Sequence, residues 1–189
     1  AVGDADQNPK SLAFDLVKEI SLVAQSIEST LSEKDVISDV VAKLLPEARN
    51  AFYIGRKQDY FVSMEASLKL KEISYIQCEG FAAGELKHGT ISLIENGTPV
   101  IALISNNEEV AAHTRGNVME TVARGASAIT IVEEAVARED DDIVINNVHP
   151  YLSAISMVVP TQLIAYYATV QRGLDVDKPR NLAKAVTVE

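Results

Sequence analysis

The segment PVIALIS at residues 99–105 carries no polar side chain from Val100 to Ile104. A strand with one wet face alternates apolar and polar residues, so a strand this continuously apolar must be covered on both faces. Shorter runs of the same kind stand at AFYIG (51–55), SAITIV (127–132) and DIVI (142–145). Between them lie segments of helical period, about 60–77 and 108–124. Strands that alternate with helices and need cover on both sides predict an α/β three-layer sandwich, a parallel sheet between helical layers.

The flanks differ in kind. From residue 11 to about 45 apolar residues recur at three and four (Leu12, Leu16, Ile20, Val23, Ile27, Leu31, then Val36, Val40, Val41, Leu44), which predicts a helical hairpin broken near SEKD. Residues 152–170 are apolar nearly all round and contain Pro160, which predicts a buried, kinked helix. The ending LDVDKPRNLAKAVTVE has neither period and reads as an extended tail. The expected organisation is a helical segment at 1–45, the α/β domain at 46–172 and the tail at 173–189. The acidic run 139–142 reads as a solvated turn, and NGT at 96–98 as an Asn-Gly turn ahead of a strand.

With 27 acidic against 17 basic residues the formal charge is −10. Such a field repels nucleic acid, although a local basic pocket can still take a small anion. Cys78 is the single cysteine, so neither an intrachain disulfide nor a cysteine metal cluster is available. No apolar run reaches membrane-spanning length, and the start AVGDADQNPK lacks the basic and apolar regions of a signal peptide. The expectation is a cytoplasmic protein without membrane or nucleic-acid partners.

On a helical wheel for residues 60–77, Ser63, Ser67, Lys71 and Ser74 fall together and form the expected wet side. Glu65, Lys69 and Glu72 lie within a wedge of about 60° on the other side, flanked by Phe61, Leu68, Val62 and Ile73. Two meanings stand open. The trio is either a buried structural ladder of i+3 and i+4 pairs, or a carboxylate tuned by a neighbouring amine to act as a general base. GELKHG at 84–89 follows as a loop or single turn, with Gly80 and Gly84 as the expected points of positive φ. His88 within it is either a surface histidine or an acid-base group. His113 and His149 look structural, and three histidines so far apart offer no metal spacing. GRKQDY after the first strand is a weak phosphate loop, and neither a nucleophile elbow nor a dinucleotide fingerprint is present.

LKLKEISYIQCEGFAAGELKHGTISLIENGTPVIAL and DKPRNLAKAVTVE together resemble the C-terminal part of the glutamine-fructose-6-phosphate aminotransferase (isomerizing) family, the glucosamine-6-phosphate synthases. The resemblance is strong over 51–189 and loose over the leading helices. It implies a sugar isomerase (SIS) fold and the conversion of fructose 6-phosphate and glutamine to glucosamine 6-phosphate and glutamate. On the matching positions it implies Glu72 as the base that moves a proton between C1 and C2. It likewise implies Lys69 and Ala183 as sugar-binding residues, His88 as the ring-opening group, and Lys184 as the Schiff-base lysine. It also implies a homodimer in which His88 serves the neighbouring chain, and no cofactor.

The chain departs from that family in beginning with Ala1 rather than a glutaminase cysteine, in lacking the preceding SIS half, and in having Ala185 where serine is usual. The expectation is therefore a C-terminal SIS half, inactive alone. The alternatives are a related SIS deglycase or isomerase and a non-catalytic module for sugar-phosphate binding or dimerisation.

Overall fold

The computed structural model describes residues 15–181. Its strands are β1 (Asn50–Gly55), β2 (Gln77–Ala82), β3 (Pro99–Ile104), β4 (Ser127–Glu133) and β5 (Ile143–Ile145). All four pairings are parallel, in the order β2-β1-β3-β4-β5. The helices are α1 (Leu16–Ser32), α2 (Lys34–Leu44), α3 (Gln58–Ser74), α4 (Glu108–Val122) and α5 (Ser153–Gln171).

Strand alternation builds two cores. Ala51, Tyr53, Ile101, Leu103, Ile129 and Ile131 point to one face and pack with Val41, Leu70 and Ile164 from α2, α3 and α5. Phe52, Ile54, Val100 and Ala102 point to the other and pack with Val118 of α4 and with Leu86 and Ile94 from the β2–β3 connection. The expected three-layer α/β sandwich is the fold, preceded by the α1–α2 hairpin, which breaks at Glu33 within SEKD. Asn96 and Gly97 form the expected turn before β3, with Gly97 at φ 84°.

Five expectations need correction. The helix expected over 60–77 ends at Ser74, and residues 77–82, for which no strand was expected, form β2. Gly80 lies inside that strand and neither it nor Gly84 has positive φ; Gly89 does, at 151°. Gly80 serves close approach instead, since a Cβ there would stand 2.6 Å from the Ser63 carbonyl oxygen.

On α3 Lys71 is exposed as expected, but the serines grouped with it are not. Ser63, Ser67 and Ser74 are buried, because each hydroxyl donates to a carbonyl of its own helix (Asp59, Met64 and Leu70, at 2.6–2.8 Å). Self-satisfied hydroxyls bury without leaving an unpaired polar group, and their small size lets β2 pack against the helix.

The acidic run 139–142 is not simply solvated: the Asp141 side chain is 1% exposed and binds the Arg115 guanidinium through both oxygens. Finally, α5 is long and apolar enough to cross a membrane by length and composition. Here it is a core helix, with Met157, Ile164 and Ala168 buried but Ile155, Tyr166 and Val170 exposed, rather than a helix buried all round.

Candidate functional site

Because α3 returns from the carboxyl end of β1 to the amino end of the parallel β2, its last turn lies at the amino edge of the sheet. Glu72 is in that turn. Lys69 Nζ donates to Glu72 Oε2 at 2.9 Å and lies 3.6 Å from Glu65 Oε1. The side chains of Lys69 and Glu72 are 38% and 31% exposed, so the ladder stands on the surface, not in the dry wedge expected from the wheel. Hydrogen bonding to Glu72 raises the Lys69 pKa, against a smaller opposing effect of burial, and the amine remains a cation at neutral pH. Around the trio Phe61, Met64 and Leu68 are 67%, 47% and 42% exposed. One helix face therefore combines an ion-pair ladder with unburied apolar side chains.

His88 lies at the other end of the molecule. It closes a 3-10 turn, Leu86–His88, beyond the carboxyl end of β2. Leu86, 1% exposed, anchors the turn in the core, while Glu85, Lys87 and His88 are exposed. A six-residue strand spans about 20 Å, and among the described residues no side-chain hydrogen bond or ion pair joins His88 to Lys69 or Glu72. The structure brings Lys69 and Glu72 together and leaves His88 apart. Ala183, Lys184 and Ala185 lie outside the described residues.

Sequence reasoning missed the carboxyl edge of β1, β3 and β4. Asp59, fully buried, accepts through Oδ2 from the Ser105 amide (3.0 Å) and hydroxyl (2.9 Å), and its Oδ1 has no partner. Glu133, also fully buried, accepts from the Asn106 amide and from Ser153 Oγ at 2.7 Å. Burial is the main cause that pushes the Asp59 carboxyl from 3.8 to about 6, and the charge of Glu133 adds to it against the Ser105 bonds. Burial raises Glu133 likewise. No spacing signals this pair, since the two carboxylates meet only through the sheet.

Beside them a cleft of about 370 Å³ is lined by Arg56, Lys57, Glu85, Glu109 and His113 among others. This is the switch point of the strand order, where open α/β sheets commonly take ligands, but its charges are mixed. His113, expected to be structural, is exposed and lines that cleft. His149 does hold a turn: its Nδ1 accepts from the Tyr151 amide at 3.3 Å. Cys78 is buried and its thiol is pushed up to about 12, chiefly by burial, so it is no nucleophile. Among the described residues no His, Cys, Asp and Glu cluster is placed to hold a metal.

The Asp59 shift has a measurable sign. A raised carboxyl pKa means that the native state holds the proton more tightly than the unfolded chain. The stabilisation is complete below about 3.8 and is lost as pH rises through about 6. In urea titrations the stability of the wild type relative to Asp59→Asn is expected to fall by about 2 kcal/mol between pH 4 and 7. A pH-independent difference would contradict the assignment.

Comparison with known proteins adds three findings. The SIS domain family matches residues 44–172. The chain is 85% identical over all 189 residues to glutamine–fructose-6-phosphate aminotransferase (isomerizing) of Lactococcus lactis, of which it spans 31%. Among solved structures it superposes on the C-terminal domain of glucosamine-fructose-6-phosphate aminotransferase from Francisella tularensis with a TM-score of 0.78 and 30% identity, covering 85% of this chain and 46% of that one. It also superposes on glucosamine-6-phosphate deaminase from Thermotoga maritima, with a TM-score of 0.70 and 26% identity, over 86% and 48% of the two chains. The chain spans about a third of the length of the curated relatives it matches.

Proposed function

The chain belongs to the SIS domain family, and from that premise we propose that it is the C-terminal half of the isomerising part of a glutamine-fructose-6-phosphate aminotransferase. The relatives' identity supports the reaction: fructose 6-phosphate and glutamine to glucosamine 6-phosphate and glutamate. The observation that carries the reading is the exposed face of α3, where Glu72 and the cationic Lys69 stand 2.9 Å apart among unburied apolar side chains. That face is finished by another half of the protein, and on it a sugar can reach a carboxylate and an ammonium at once.

The chemistry proceeds in three stages. His88 transfers a proton as the sugar ring opens. The Lys184 amine then condenses with the open-chain C2 carbonyl, releasing water. Ammonia set free from glutamine by the glutaminase part displaces the lysine, which leaves as the free amine, and the resulting C2 imine makes the C1 proton more acidic. Glu72 carries that proton from C1 to C2, and Lys69 offsets the negative charge that develops between them. His88 and Glu72 stand at opposite ends of β2, which supports a site shared between two chains of a C2 dimer, each His88 reaching the neighbour's Glu72. The 189 residues match about a third of such an enzyme, and on this reading they need the glutaminase part and the first SIS half to complete the reaction. The organisation follows as residues 1–45 for the leading helices, 46–172 for the SIS domain and 173–189 for the tail, in a cytoplasmic enzyme that needs no cofactor.

The test is chemical trapping. In the polypeptide extended to the length of its relatives, borohydride with fructose 6-phosphate is expected to label Lys184. Labelling that persists unchanged in Lys184→Ala rejects the Schiff-base role.

A further inference from the structure

Tyr75 ends α3 with φ 61° and ψ 17°, the left-handed conformation that helix ends usually give to glycine or asparagine. A residue with a Cβ is strained there, so a tyrosine needs a compensating use for its ring. It has one. The Arg180 amide, 105 residues away in sequence, donates to Tyr75 Oη at 2.8 Å, and the Arg180 guanidinium sits 4.1 Å from the centre of the same ring.

The route to this contact is itself fastened. At the end of α5, Arg172 Nη1 donates to the carbonyls of Pro46 (2.6 Å) and Ala48 (3.1 Å), and Gly173 at φ 71° turns the chain away. The segment then runs past a cleft of about 440 Å³ whose walls include Glu47, Tyr75, Arg172 and Arg180. Tyr75 is three residues beyond Glu72, and Lys184 is four beyond Arg180.

We propose that Tyr75 is a positioning residue, a clasp that ties the C-terminal tail to the end of the helix carrying Lys69 and Glu72. Four residues reach at most about 14 Å, so a tail held at Arg180 can bring its lysine to that helix end. The inference rests on the proposed role of Lys184.

Tyr75→Gly tests it best, because glycine relieves the backbone strain while removing the ring, and the fold is retained. In the chain as it stands, hydrogen exchange of the Arg180 amide is expected to quicken about tenfold in Tyr75→Gly. Tyr75→Phe, which keeps the ring but loses the acceptor, is expected to fall between. In the extended polypeptide, trapping of Lys184 is expected to slow about tenfold while the midpoint of urea denaturation holds or rises. Unchanged Arg180 exchange, or trapping at the parent rate, overturns the clasp. If the parent itself is not trapped, the Schiff-base reading fails instead, and Arg180 exchange alone decides whether the clasp exists.

Discussion

Glu72→Gln, in the polypeptide extended to the length of its relatives, is expected to slow exchange between the sugar's C1 proton and solvent by about 10²- to 10⁴-fold, the usual worth of a positioned base. The substitution keeps the shape of the side chain but removes its negative charge and with it the ability to take a proton. Lys69 would remain held, because Glu65 lies 3.6 Å from its amine on the other side. Sugar-phosphate binding should therefore change little, and the loss should fall on the rate of the chemical step. Isotope incorporation at C1, followed by mass spectrometry, measures it. Exchange at the wild-type rate would show that the Glu65-Lys69-Glu72 ladder is no more than a surface ion-pair series.

Asp141→Ala is expected to cost about 3–5 kcal/mol of stability, the penalty for leaving a buried charge without its partner. Arg115 and Asp141 are 12% and 1% exposed, and their two bonds of 2.7 Å form a bidentate clamp that joins α4 to the segment before β5. The Arg138 amide donates to the same carboxylate at 2.7 Å, and Arg115 also donates to the Val136 carbonyl at 2.9 Å. Burial by itself raises the Asp141 pKa, but the Arg115 and Arg138 hydrogen bonds outweigh it and hold the carboxyl below its ordinary value. Its stabilisation is therefore present above the ordinary carboxylate range and is lost as pH falls. Urea denaturation at pH 7 is the measurement. A cost under about 1 kcal/mol would place the pair with ordinary surface salt bridges.

What the chain reveals of itself depends on where its polar groups find partners. The central strands were legible because Val100–Ile104, and Ile129, Ile131 and Val132, are apolar and buried, and the α1–α2 hairpin because Leu16, Ile20, Val23, Ile27 and Leu31, then Val36, Val40, Val41 and Leu44, keep helical period. β2 was not legible: it is an edge strand, and Gln77, Glu79 and Gly80 interrupt its apolar pattern. The faces of α3 were misread because serine counts as polar in any periodicity, whereas Ser63, Ser67 and Ser74 spend their hydroxyls inside the helix.

The spacing of Glu65, Lys69 and Glu72 was visible; their exposure was not. The Asp59 and Glu133 pair was invisible, since only the sheet order brings residues 59, 105, 133 and 153 together. The distance between Glu72 and His88 likewise appears only once β2 is known to lie between them.

That separation makes one experiment decisive for a site divided between two chains. Glu72→Gln and His88→Asn polypeptides of full relative length, each inactive alone, would be unfolded together and refolded as an equal mixture. If each site takes Glu72 from one chain and His88 from its partner, half of the dimers are mixed and each of these carries one intact site. Synthesis of glucosamine 6-phosphate should then return to about a quarter of the wild-type rate. A mixture as inactive as its components would contradict the shared site and place both residues in the service of a single chain.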